Sequence, residues 1–394
     1  MEIDRNLSHF CKNSEEYQTW EYLSTLPSTS IYSADTSPDG RWLALGKYNT
    51  VEVWNISTMT LYYSFALAAD ANLHISFSPD GKYLGISSGK VIRYIINTTT
   101  WQNIDIGNWD TSASITCFDW SRDSEYLFIN SYLTYLYKYY MNGTYQCHFY
   151  NSNQINSIDC SPDGNFVATG SYIYLRIHRT NDLEKINEKE TAQIINAISY
   201  SPDGSRIAAG CNGGYVYCWN TSNFAEPVNR NLGGSPITAI SWLPGLQPVI
   251  IAGCSNGTLL FLEPVTLNIV KVLKYAGTTT QINTIAYCPY NSKLYTGVYN
   301  AAGIVWGKKF NTTLVSPEAG QLLGVDSPLI FRFSEPMNQS TFNMSLFIHP
   351  AVNFTWNYNE NERMLSIYPQ PRFEFNTTYN ITFTSALKTL DGIS

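Results

Sequence analysis

Apolar and polar positions alternate in three short runs between Ile194 and Trp219, in the stretch IINAISYSPDGSRIAAGCNGGYVYCW. Ile195 to Tyr200, Arg206 to Ala209 and Tyr215 to Trp219 each follow the period of two that a half-buried strand requires. Ser201-Pro202-Asp203-Gly204 separates the first two runs, and Asn212-Gly213-Gly214 separates the second from the third. In the first of these turns Pro202 presets φ, Asp203 tolerates the third position and Gly204 suits the exit. A three-strand ladder of this size cannot bury its own faces, so it predicts a repeat.

The repeat is present. Ser-Pro-Asp-Gly recurs at 37–40, 78–81 and 161–164, with degenerate copies at Ser121-Arg122-Asp123-Ser124, at Ser241 to Gly245 and at Cys288-Pro289-Tyr290-Asn291. The leading serines 37, 78, 121, 161, 201 and 241 are 41, 43, 40, 40 and 40 residues apart. A period near 40 with three or four strands per unit predicts the blades of a β-propeller. Seven units fit between residues 17 and 310. The last has three strands of its own, and Tyr17 to Leu26, at the other end, has the texture of an outer strand. The expectation is that this N-terminal strand completes the last blade, so that no sheet edge is left open.

The pattern Ile-x-x-Ile-x-aromatic-Ser-Pro-Asp-Gly, followed by a β-branched strand and by Val51-Glu52-Val53-Trp54-Asn55 or Val216-Tyr217-Cys218-Trp219-Asn220, resembles the WD-repeat propeller family. That resemblance implies a binding platform rather than a particular activity. Two departures stand out. No Gly-His dipeptide precedes a first strand, so the family's polar His-Asp-Ser/Thr-Trp set is missing and the blades are expected to rely on apolar packing. The Asp of the Trp-Asp pair is Asn55 or Asn220.

Beyond Lys309 the strands become those of a sandwich: Leu329 to Phe333, Phe347-Ile348, Thr355 to Tyr358, Met364 to Tyr368 and Tyr379 to Phe383. The order Ser-Pro-x-x-Gly, Phe-Ser-Glu-Pro-Met, Pro, Asn-Thr-Thr-Tyr-x-Ile-Thr resembles the Ig-like module of surface-layer and other secreted proteins. The resemblance implies one more strand after Gly392. The chain is therefore expected to be a fragment of a longer one, or to receive that strand from a neighbouring subunit in a filament. The expected organisation is an all-β chain: an extension over 1–16, a seven-bladed propeller over 17–310 and an Ig-like β-sandwich over 311–394.

Composition narrows the setting. Only 14% of residues are charged, the net charge is −7, and 29 Tyr and 10 Trp are present. This disfavours nucleic acid, which needs a basic face. No run of 18 apolar residues predicts a membrane span, and the first residues lack the pattern of a signal peptide. Against a cytoplasmic location stand 12 Asn-x-Ser/Thr sequons: Asn6, Asn55, Asn97, Asn142, Asn220, Asn256, Asn311, Asn338, Asn343, Asn353, Asn376 and Asn380. This is about twice the number that composition alone produces. Asn55, Asn97, Asn142 and Asn220 fall at third-to-fourth strand turns, so glycans would crowd the Ser-Pro-Asp-Gly face; Asn is also a favoured turn residue in its own right. On the opposite face Tyr48, Tyr132, Tyr172 and Tyr299 take one equivalent position in four blades, as a partial aromatic ring for protein or glycan contact or as a cap on each blade.

The sequence carries no recognisable catalytic or metal-binding constellation. His9, His74, His148, His178 and His349 have no metal spacing, and one carboxylate per Ser-Pro-Asp-Gly turn is too few for calcium. There is no nucleophile elbow, phosphate loop or Cys-x-x-Cys pair. The eight Cys read mostly as buried free thiols, which favours a reducing compartment. The sequence as a whole predicts a non-enzymatic, cofactor-free, glycosylated structural or adhesive protein outside cells or on their surface. Its partners would be other proteins, copies of itself or glycans. The alternative is an intracellular WD-repeat scaffold.

Overall fold

A computed structural model of the chain describes residues 20–67, 74–88, 91–104, 115–131, 134–245, 248–274, 280–308, 312–316, 327–333, 336–370, 373, 380–383 and 387. The chain is all-β and divides into two compact units, the larger being Met1–Pro289 with Lys293–Gly307 and the smaller Tyr290–Ser292 with Lys308–Ser394.

The larger unit is a propeller of seven four-stranded antiparallel sheets. Six are sequential hairpin ladders. The first, for example, is Ser33–Thr36, Trp42–Lys47, Thr50–Asn55 and Thr60–Ala66, and the fifth is Ile195–Tyr200, Arg206–Cys211, Tyr215–Asn220 and Val228–Asn231. The seventh combines Ile282–Cys288, Lys293–Val298 and Ala302–Lys308 with Trp20–Thr29, which lies outermost. A strand from the start of the chain thus pairs with the last blade. Its Trp20 is buried against Phe261, with ring centroids 5.5 Å apart.

The turn chemistry accounts for the local hairpins. In each complete Ser-Pro-Asp-Gly the glycine has positive φ: Gly40 at 69°, Gly81 at 72°, Gly164 at 76° and Gly204 at 70°. The degenerate third copy puts Ser124 there at φ 63°. The Ser201 hydroxyl donates to Asp203 Oδ1, and that oxygen also accepts the Ser205 N–H. Partial burial pushes the Asp203 carboxyl up, but these hydrogen bonds outweigh it and hold it below the usual range. The turn aspartates are architecture.

Blades pack face to face through apolar clusters. Ile207, Ala209, Tyr217 and Trp219 of the fifth blade share one with Ala168, Leu175 and Ile177 of the fourth. Ala208, Val216 and Cys218 share another with Ile237, Trp242 and Ile250 of the sixth. In the fourth to seventh blades close approach requires a missing side chain at one point of the second strand. A Cβ on Gly210 would lie 2.5 Å from Ile237 Cγ2 and 2.8 Å from Ile240 Cγ1, and Gly170 and Gly253 meet Ile195 and Ile282 in the same way.

In the smaller unit Thr312–Ser316, Leu329–Phe333, Met364–Gln370 and Asn353–Asn359 form one sheet, in that spatial order, and Leu346–His349 pairs with Asn380–Phe383. Phe331, Phe333, Phe342, Tyr358, Leu365 and Ile367 fill the core. A helical feature absent from the strand pattern follows the first long connection: Gln339–Thr341 and Phe342–Ser345, capped by Asn338 Oδ1, which accepts the Ser340 N–H. The strand expected after Gly392, the extension over 1–16, Asn6, Asn311 and Asn376 lie outside the described residues.

Gly210→Ala is expected to destabilise the propeller by about 1–3 kcal/mol through overpacking, read as a lower urea midpoint with unchanged far-UV circular dichroism. An unchanged midpoint would mean that the fifth and sixth blades are not in close contact there.

Candidate functional site

The inner strands of the seven blades surround a channel of about 360 Å³. Its wall is the inner edge of each repeat's first strand, which lines it with consecutive residues such as Asn156 to Asp159 and Asn196 to Ser199. Two belts of polar side chains cross the seams between blades, and both use backbone groups of the next blade as partners.

The first belt uses the residue after the leading Ile. The Thr116 hydroxyl donates to Ile155 O at 3.0 Å, Asn156 Nδ2 to Ile195 O at 2.8 Å and Asn196 Nδ2 to Ile237 O at 2.9 Å. The Thr238 hydroxyl then donates to Ile282 O at 2.6 Å and Asn283 Nδ2 to Ile31 O at 2.9 Å. Five consecutive seams, including the one between the seventh and first blades, are fastened in this way. Ser and Thr hydroxyls add a second set of contacts: Ser33, Ser157 and Thr284 accept the N–H of Ile75, Ile198 and Ala34.

The second belt is acidic. Asp35 Oδ2 accepts the Phe77 N–H at 2.7 Å, Asp119 Oδ2 the Cys160 N–H at 2.8 Å and Asp159 Oδ2 the Tyr200 N–H at 2.6 Å. At Ser76 and Ser199, which take the same position, the next blade is again the donor, but an indole N–H meets the serine's backbone carbonyl. Trp120 Nε1 donates to Ser76 O at 3.1 Å, and Trp242 Nε1 donates to Ser199 O at 2.9 Å. Desolvation pushes Asp35 up to about 6 and Asp159 up to about 7, and it raises Asp119 against the opposing pull of the Arg122 guanidinium. His74 also faces the channel; desolvation lowers it to about 4, and its Nδ1 has no hydrogen-bond partner.

These belts correct the expectation that the blades hold together by apolar packing alone. The Asn or Thr after the leading Ile of the third to seventh blades recurs visibly in the sequence, but its partner lies in another blade, 39–44 residues on for four of them and 252 residues back for Asn283. The tryptophans of the third strands lack a common polar partner. Trp54 Nε1 donates to Glu52, Trp306 Nε1 donates to Thr296, and the Trp219 indole nitrogen is unpartnered while its ring stacks on Tyr217.

One mouth of the channel carries the second-to-third strand turns. Tyr48 is 53% exposed there, Tyr172 51% and Tyr299 45%. Tyr299 meets Tyr32 edge to face at 6.1 Å. Tyr172 holds φ at 45°, and its carbonyl accepts the Ile195 N–H of the next blade, which ties down the uncommon backbone conformation. Tyr132 lies outside the described residues. A second cavity of about 380 Å³ is lined on this side by Asn196, Asn212, Pro236, Thr238, Ser255 and Gln281, all uncharged.

At the opposite ends of the blades, the sequons form a common turn. Asn55, Asn97, Asn142 and Asn220 each accept, through Oδ1, the N–H of the hydroxyl residue two positions on, at 2.9–3.0 Å. Asn256 does the same at 3.1 Å in a second-to-third turn, so it falls on the tyrosine side. The Asn-x-Ser/Thr excess thus has a turn-forming cause, and Nδ2, the atom that would carry a sugar, takes no part in that bond. In the smaller unit Asn338 caps the helical turn, and Asn343 Oδ1 accepts the Trp356 indole N–H, while the Ser345 hydroxyl of that sequon is buried and donates to Thr341 O. Asn353 is exposed, and Asn380 opens the last described strand.

Cys117, Cys160, Cys211, Cys218 and Cys254 are buried free thiols, Cys288 is buried, and Cys147 is half-buried and free. Among the described residues no group of three or more His, Cys, Asp or Glu is placed to hold a metal ion. No helix among them is long and apolar enough to cross a membrane.

Asn196→Asp is expected to weaken the ring more than Asn196→Ala, because it removes the donor and sets a carboxylate against Ile237 O. The alanine variant should lose about 1–2 kcal/mol, the cost of one unmade hydrogen bond. Urea midpoints at pH 7 compare the two.

Two families match the sequence in separate regions. The WD domain, G-beta repeat, matches residues 20–55, 140–172 and 184–220, and the bacterial Ig-like domain matches residues 310–394. Minichromosome loss protein 1 of Schizosaccharomyces pombe is 27% identical over 250 residues, or 60% of this chain. The matched span is 26% of that protein's length. WD repeats make protein-interaction platforms and are typically non-enzymatic scaffolds. The chain joins WD repeats of the G-beta type, arranged as a propeller, to a bacterial Ig-like domain.

Proposed function

We propose that the propeller engages a protein partner through the face that bears the second-to-third strand turns. The supporting observation is the mouth itself, where exposed Tyr48, Tyr172 and Tyr299 stand on the same side as an uncharged polar cavity. Tyrosines supply rigid contact area with a polar tip, and amides and hydroxyls can satisfy a partner's backbone. The opposite ends of the blades carry Asn55, Asn97, Asn142 and Asn220, whose unshared Nδ2 groups would place glycans away from that contact. On this reading the chain is an exported, glycosylated structural or adhesive protein, with the Ig-like domain as a module of cell-surface type. Assembly with copies of itself or contact with glycans would be part of the same adhesive role.

A second reading, an intracellular scaffold, is supported by the free thiols and by the similarity to a yeast protein named for minichromosome loss. Treatment of native material with N-glycosidase separates the two. The exported reading expects a downward shift in mass from sites among Asn55, Asn97, Asn142 and Asn220. Unchanged mass, with thiols that alkylate only on unfolding, would support the scaffold.

The contact face is tested by Tyr48→Ala, Tyr172→Asn and Tyr299→Ala combined, asparagine being chosen because it tolerates positive φ. Partners retained from a native extract by immobilised wild-type protein should fall at least about tenfold with the variant, as expected for loss of central aromatic anchors. Tyr62→Ala on an outer strand should retain them. Equal retention by the triple variant would exclude this face.

A further inference from the structure

The channel carries more negative charge than its surroundings neutralise. Asp35, Asp119 and Asp159 line it from the first, third and fourth blades. The groups packed around them are few. The first blade contributes Tyr32 and the second His74; the third contributes Cys117 and, from its turn, Arg122; the fourth contributes Cys160, and the fifth Tyr200. The parts of the sixth and seventh blades that face the channel, Thr238 to Ser241 and Asn283 to Ile285, have no titratable side chain. Arg122 is the one cation in this set, and it already donates to the backbone carbonyls of Cys160 and Ser161. Three carboxylates against one guanidinium leave about two uncompensated charges in one confined channel, where like charges disfavour one another's ionisation.

The same carboxyls are the seam fasteners. Each accepts a backbone N–H from the next blade, at the first-to-second, third-to-fourth and fourth-to-fifth seams. A neutral carboxylic acid can still accept that bond through its carbonyl oxygen, so protonation removes the repulsion without opening the seam. Each of the three is only half-buried and faces the channel, which gives protons a path to it.

We propose that Asp35, Asp119 and Asp159 form a proton-linked clasp, through which the propeller is held most tightly when the channel is protonated and loosens as the pH rises through neutrality. The sign follows from linkage. Burial raises these carboxyls in the folded state, to about 6 for Asp35 and about 7 for Asp159, above their unfolded value near 4. Their stabilising contribution is therefore complete below about pH 4 and is lost as the pH rises through about 6 to 7. His74 does not reverse the trend: burial lowers it to about 4, so it is neutral across that window.

The test is an NMR titration of the full chain labelled with ¹³C at the Asp carboxyls, from pH 4.5 to 8.5. A parallel series of urea melts would use wild type and Asp35→Asn, Asp119→Asn and Asp159→Asn. At least one carboxyl resonance should titrate above pH 5.5 and vanish in one of the three variants. The wild-type urea midpoint should fall from pH 5.5 to 8, and Asp159→Asn should flatten that fall. The proposal is overturned if every Asp carboxyl titrates below pH 5, if any that titrate higher belong to other aspartates, or if Asp159→Asn leaves the pH slope unchanged. Should a variant fail to fold, through-bond assignment of the wild-type carboxyl resonances decides: a midpoint above pH 5.5 at Asp35, Asp119 or Asp159 together with a falling urea midpoint supports the clasp, and the absence of either overturns it.

Discussion

Everything in the larger unit depends on how one blade's inner strand is fastened to the next. The inner strands lie nearest the propeller axis, where blades converge and little apolar surface is left to share. Side chains there reach across the seam to backbone groups: amides and hydroxyls to carbonyls at one level, and carboxylates to N–H groups at another. Outward from the axis the seam becomes hydrophobic, with isoleucines seated over glycines. A polar inner ring inside an apolar one is a stable division, since a buried backbone group left unpaired costs more than a bond gained.

This fastening explains how the propeller manages without the family's polar set within each blade. The tryptophans of the third strands keep their packing role as buried rings, while their indole nitrogens take different partners or none. Hydrogen bonding has moved from within the blade to the space between blades. At Ser76 and Ser199, where the carboxylate acceptor is lacking, an indole from the next blade donates to the serine's backbone carbonyl instead. The seam is therefore crossed at nearly every position, by whichever chemistry the local residues allow.

Much of this was legible along the chain. A 40-residue period, four complete Ser-Pro-Asp-Gly turns and alternating strands leave few architectures open, because short ladders must stack to bury both faces. The Asn at the third-to-fourth turns could be read as a sugar acceptor or as a turn former; its Oδ1 bonds establish the second role and leave the first compatible. The helical turn over Gln339–Ser345 was hidden among polar residues, since Asn338-Gln339-Ser340 is as typical of a loop as of a cap.

Strand positions, turn types and the number of blades were set by local patterns, because alternation and turn geometry act over two to six residues. The side-chain belts, the channel's charge imbalance and the pairing of Trp20–Thr29 with the last blade belong to tertiary structure alone. Each depends on groups about 40 to 280 residues apart in the chain that meet only once the blades are in place. Asp35, Asp119 and Asp159 look like ordinary strand residues in sequence. Only the convergence of their blades on one narrow channel makes them neighbours of a common space and raises the cost of their charge.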